Sequence, residues 1–186
     1  VVVAYFKYLG QLLQGNLGET FAGRSVAEEL ARAFPVTLRL ALMAIAFEII
    51  IGITAGILAA LRRGKFLDNL VLVSTLLVIS IPVFVIGYVA QYVFAIKLGW
   101  FPPTVGAGAS LYAYVLPGLV LASLSLAYVA RLTRSSLGEN LRADYVRTAV
   151  AKGVPRGQVV RKHAMRNSLI PVVTFIGADF GALLGG

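Results

Sequence analysis

Apolar residues in this chain run in long blocks rather than alternating with polar ones. A helix needs about 20 mostly apolar residues to cross a bilayer. Three blocks, residues 36–61, 70–96 and 115–130, meet or approach that length, and a fourth opens near Leu169. Pro82 stands near the middle of the second block with no polar turn beside it, which predicts one kinked or tilted helix. Within the first block, Ala41, Ala44, Glu48, Gly52, Ala55, Gly56 and Ala59 recur at steps of three and four, and Leu38, Leu42, Ile45, Ile49 and Ile53 form a second stripe. Small residues let helix backbones approach closely, so the first stripe is expected against neighbouring helices and the second against lipid.

Ahead of the first span, residues 1–35 read as a separate segment. Ser25 and Glu28 have capping-box spacing. Val26, Leu30 and Phe34 follow at helical spacing, which predicts a short helix at the membrane surface. Residues 36–186 then form a membrane domain with a long polar loop at 131–168. The fold class is all-α, a polytopic transmembrane helix bundle.

Composition agrees. Of the 186 residues, 59% are hydrophobic, 19 are Gly and only 13% are charged, against about 25% in soluble domains. With no Cys and a single His, disulfides, thiolate chemistry and an imidazole metal cluster are excluded, and no metal site is expected. No Met begins the chain, and Gly185-Gly186 ends it within an apolar stretch, as expected of a piece of a longer protein.

The net charge is +9, and its distribution fixes an orientation. Arg62, Arg63 and Lys65 against Asp68 leave one loop at +2. Arg131, Arg134, Arg142, Arg147, Lys152, Arg156, Arg161, Lys162 and Arg166 against Glu139 and Asp144 leave the other at +7. Residues 98–114 carry no charge but hold Trp100, Phe101, Tyr112 and Tyr114, rings suited to the headgroup region. Basic loops stay in the cytoplasm. Residues 62–68 and 131–168 are therefore expected inside, and the N-terminal segment outside. The basic balance is explained without nucleic acid.

Two carboxyls lie inside apolar stretches. An ionised side chain at the bilayer centre costs about 2.5–3.5 kcal/mol on insertion scales. Glu48 should therefore face either a watery path, as a lining residue, or a partner in the bundle. Asp179 poses the same choice. It lies between Gly177, Gly181 and Gly185, which continue the small-xxx-small pattern of Gly52 and Gly56 and are expected to pack helices.

The loop carries the sharpest pattern. Asp144 to Lys152 suits a helix with Tyr145, Val146, Ala149 and Val150 on one side. Gly153 follows at the place of a left-handed helix stop. Pro155 suits the first turn of a second helix, on which Val159, Val160 and His163 share a face. A helix–turn–helix elbow continuous with two spans can carry a partner's movement into the bundle, and Ala149 and Gly153 are small enough to admit close packing by that partner. Attraction of its basic residues to anionic lipid accounts for the charge, but not for the Ala149–Gly153 spacing.

The stretch DYVRTAVAKG, followed by HAMRNSLIPVVT, resembles the signature loop of inner-membrane permease subunits of binding-protein-dependent ABC importers, in the branch that imports dipeptides, oligopeptides and nickel. FPVTLRLAL, GILAALRRGKFLD, KLGWFPPTVG and GADFGALLGG agree with it. The resemblance implies a six-span subunit, of which about four spans are present, in the bacterial or archaeal inner membrane. It also implies a second permease of the same kind as partner, two ATP-binding subunits that hold ATP and Mg, and an extracytoplasmic solute-binding protein. It assigns coupling to the ATPase to Tyr145, Arg147, Thr148, Ala149, Gly153, His163, Arg166, Asn167 and Pro171. Two positions depart from the pattern. Arg147 stands where the wider superfamily often has Glu, and Glu48 where an apolar residue is usual.

No GxxxxGK[ST], HExxH or GxSxG occurs, so ATP hydrolysis falls to another subunit and no cofactor is expected in this chain. The alternative is an ion-coupled secondary transporter using Glu48 and Asp179, which predicts broken helices around a midplane site.

Overall fold

Residues 2–106 and 108–185 are described by a computed structural model. Val1, Ala107 and Gly186, which include two ends of the assigned 1–35 and 36–186 segments, lie outside the described residues. Seven helices are found among the described residues: α1 (Val2–Leu13), α2 (Val26–Leu61), α3 (Phe66–Ser80), α4 (Val83–Lys97), α5 (Leu111–Asn140), α6 (Asp144–Ala151) and α7 (Arg156–Gly185). The one β pairing among them is an isolated bridge between Glu19 and Ser25. α2, α5 and α7 are each long and apolar enough to cross a membrane, and α3 with α4 would make a fourth crossing. The chain is an all-α polytopic bundle. α5 is its axis, touched by α2, α3, α4 and α7.

The short surface helix expected at residues 25–34 has no end of its own. It is the beginning of α2, which runs unbroken through Pro35 to Leu61. Nor does the capping box form, although Ser25 does occupy the N-cap position. Its neighbourhood is organised by backbone instead: the bridge to Glu19 and the Val26 N–H donating to Gly18 O (3.0 Å) satisfy the entry to the helix. At about 1.5 Å per residue, the 36 residues of α2 exceed the roughly 30 Å hydrocarbon core of a bilayer. The polar first turns, with exposed Glu28 and Arg32, are the part left over.

The second apolar block is not one kinked helix. α3 and α4 meet at 100°. Pro82 excludes the α conformation from the residue before it, and Ile81 is accordingly extended (φ −102°, ψ 127°). Pro82 then serves as the N-cap of α4, where its missing N–H costs nothing. The break opens a mostly apolar groove of about 550 Å³ between α4, α5 and the connector, lined by Leu40, Phe84, Tyr88, Val105 and Pro117 among others. Across the connector, Gln91 donates to Pro103 O (2.7 Å), the Tyr112 hydroxyl to Trp100 O, and the Phe101 and Tyr112 rings stack at 5.1 Å.

On α2 the small stripe is the packed one. Ala41, Ala44, Glu48, Gly52, Gly56 and Ala59 are buried. The aliphatic stripe divides: Leu42 and Ile49 are exposed, whereas Ile45 and Ile53 pack with Val129, Val172 and Ile176. Two neighbours, α5 and α7, flank α2, so its buried arc is wider than one stripe.

Candidate functional site

The elbow comprises α6, the turn at 152–155 and the start of α7. Gly153 adopts φ +75°, the left-handed conformation that suits Gly. The Val154 N–H donates to Ala149 O (3.2 Å) and the Gly153 N–H to Val150 O (2.9 Å). That bond pair is a Schellman stop, which satisfies carbonyls the helix end would otherwise orphan. Pro155 caps the next helix, which continues without interruption through Pro171 into α7. The second arm of the elbow and the last span are therefore one rod.

Val146, Ala149, Val159 and Ala164 are buried with Ala60 and Leu137, at the ends of α2 and α5. Ala149 thus packs against the bundle, which corrects the expectation that it admits a partner. What the elbow presents outward is a different set: Tyr145, Arg147, Thr148, Val150, Lys152 and Gly153 are exposed. The Tyr145 hydroxyl donates to Asn140 Oδ1 and ties α6 to the end of α5. Arg147 pairs with Asp144 at 3.3 Å with both side chains largely in solvent, a geometry worth little. On the rod, His163 is half-buried, whereas Arg166, Asn167 and Pro171 are exposed. The buried Ser168 donates to Ala164 O (2.7 Å) and lies 3.4 Å from Ser136 O of α5.

Beside the elbow lies an ion pair that the sequence pattern did not single out. Asp68, 2% exposed, accepts from Arg134 Nε and Nη2 (2.9 Å for the latter) and from the Gly64 N–H (2.8 Å). It joins the first turn of α3 to α5. The available signal was that Asp68 is the one acid in its basic loop.

Deeper in the bundle, the structure brings Glu48 and Asp179 together. Glu48 is fully buried at the start of a π-helical segment, Glu48–Ile53. Such segments are rare and recur at functional sites. Both of its carboxylate oxygens lack a hydrogen-bond partner among the described residues, and Asp179 lies within interaction range. Asp179 Oδ1 accepts from Ser125 Oγ at 2.9 Å, and its Oδ2 is buried without a partner.

The glycine pattern splits. A Cβ on Gly56 would stand 2.5 Å from Thr133 Cβ and 2.6 Å from Ala130 O, and one on Gly52 would stand 2.9 Å from Val129 Cγ1. These two set the α2–α5 approach. Gly177, Gly181 and Gly185 meet nothing within 4 Å, so the packing expected of them does not occur among the described residues. Sequence reading overlooked Gly118 instead, whose Cβ would stand 2.7 Å from Met43 Cγ.

Long apolar helices around a central one, closed at one end by a helix elbow, define a multi-pass membrane domain. The chain belongs to the family of binding-protein-dependent transport system inner membrane components, which it matches over residues 52–186. It is therefore a multi-pass inner-membrane protein. Its relatives include the glutathione transport system permease protein GsiC of Escherichia coli strain K12, 43% identical over 183 residues that cover 98% of this chain and 59% of that protein. The protein of the same name from Salmonella paratyphi A is 42% identical over 185 residues, covering 99% of this chain and 60% of the relative. The chain thus spans about three-fifths of the length of the curated relatives it matches.

Proposed function

We propose that the whole protein is the permease subunit of an ABC importer, and that residues 144–167 couple it to a separate ATP-hydrolysing subunit. The observation that carries this reading is the two-sided elbow. One face is buried against the ends of α2 and α5, the other is exposed, and its second arm is the same rod as α7. A push on the outer face reaches the bundle through the buried inner face. ATP binding to two such subunits, drawing two elbows together, biases a bundle with two arrangements toward one of them.

The proposed assembly contains a second permease of the same kind, two ATP-binding subunits that carry ATP and Mg, and a solute-binding protein on the outer side. The basic loops face the cytoplasm in this reading. The cargo proposed is a short peptide or related small solute. Glutathione fits the relatives' names, and nickel fits the branch resembled.

Gly153→Val tests the coupling. A branched side chain in the left-handed conformation costs roughly 1–2 kcal/mol, about tenfold in the equilibrium constant for the correctly shaped elbow. ATP-driven uptake by the complete importer in proteoliposomes should fall, by up to about tenfold, while the ATP-binding subunit still co-purifies. Uptake at the unaltered rate would count against coupling through the elbow.

A further inference from the structure

We propose that Glu48 and Asp179 form a proton-binding site, in which one proton shared between the two carboxyls clasps α2 to α7. Glu48 is fully buried, and among the described residues neither of its oxygens nor the buried Asp179 Oδ2 has a hydrogen-bond partner. Ser125 from α5 donates to Asp179 Oδ1 at 2.9 Å.

Along the helices that hold them, no cation stands within a turn of either carboxyl. Between Arg39 and Arg62 on α2, Glu48 is the only charged residue; between Asn167 and Gly185 on α7, Asp179 is the only one. α5 carries none from Val115 to Ala130, and its titratable Tyr128 lies against the Phe175 ring at 6.2 Å between centroids. The nearest charged residues along these helices, Arg39, Arg62, Arg131 and Arg166, are all at least six positions away. Two unpaired carboxylates in such a place carry a desolvation cost plus mutual repulsion. A single proton removes both, because the protonated carboxyl becomes a donor to the other. The four carboxyl oxygens, one of them already accepting from Ser125, are fewer than the roughly 6–8 oxygens that Ca2+ takes up.

The location gives the proton a consequence. α7 is the rod that begins in the elbow, so the clasp joins the elbow's own lever to the first span. Loss of the proton leaves two like charges across that contact and favours its opening.

Infrared spectroscopy on the full-length protein in lipid nanodiscs tests it. The unaltered protein at neutral pH should show the carbonyl stretch of a protonated carboxylic acid, and Glu48→Gln should abolish it. The Gln amide can donate to Asp179 in the proton's place, so this variant should stay folded and lose the pH dependence of thermal stability in the neutral range. Asp179→Asn supplies a second variant should Glu48→Gln fail to fold; it should likewise remove the band or shift it. Absence of the band in the unaltered protein overturns the proposal, as does a band unchanged by both substitutions. A band that appears only after sodium is withdrawn also overturns it, showing a metal-cation site instead.

Discussion

Replacing Arg134 with Ala is expected to destabilise the full-length protein by about 1–3 kcal/mol, the range for leaving a buried acceptor without its partner. The size follows from what remains. Asp68 is 2% exposed and keeps only the Gly64 N–H as donor. The reverse change, Asp68→Ala, should cost less, because Arg134 is 21% exposed and its long side chain can carry the charge to water. The double variant should recover much of the loss seen in Arg134→Ala alone, since it leaves no orphaned carboxylate. Reversible unfolding in mixed micelles measures all three. Equal destabilisation by the two single variants would show that the asymmetry of burial does not govern this contact.

Gly56→Ala is the second large effect. The added carbon would sit 2.5 Å from Thr133 Cβ and 2.6 Å from Ala130 O. A main-chain oxygen and a Cβ have no rotamer by which to withdraw, so α2 and α5 must separate. Overpacking of this kind costs about 1–3 kcal/mol, more than the ~1 kcal/mol that Ala gains over Gly in a helix. In lipid the loss is felt fully, because close packing rather than hydrophobic burial holds such helices together. Gly52→Ala should cost less: it meets Val129 Cγ1 at 2.9 Å and Leu126 O at 3.2 Å, and the methyl can give way. Gly177→Ala meets nothing within 4 Å and should leave the thermal midpoint of the subunit unchanged or slightly raised. A destabilisation by Gly177→Ala as large as that by Gly56→Ala would contradict the helix contacts described.

The features legible in the sequence were those set by local chemistry or by a single period. Gly153, Pro155 and the apolar spacing of Val146 and Ala149 placed the elbow's two helices, since a left-handed stop and a proline cap act within a few residues. The burial of Ala41, Ala44, Glu48, Gly52 and Gly56 followed from helical period alone. What periodicity could not show was which neighbour each face meets. It assigned Ile45 and Ile53 to lipid, although α7 lies beside α5 against α2 and covers them. It gave Ala149 to a partner because small residues admit any close neighbour, and the neighbour is the bundle itself. The 100° break at Pro82 was underestimated because apolar residues run straight through it, while the sterics of Ile81 before proline decide the backbone. The Asp68–Arg134 pair has no local signature, because its two partners lie 66 residues apart. α1 was not foreseen either, and its Val2, Val3, Phe6 and Leu13 are exposed.

Cysteine crosslinking across the elbow tests the central claim most directly, with any Cys elsewhere in the assembly first replaced. Val150 is 58% exposed on the outer face of α6, and Ala149 beside it is 7% exposed against the bundle. In the complete assembly, Val150→Cys should crosslink to the ATP-binding subunit in a manner that changes with bound nucleotide, and Ala149→Cys should not. Failure of Val150→Cys to reach that subunit, or its labelling only by reagents confined to the outer side of intact cells, would contradict the account.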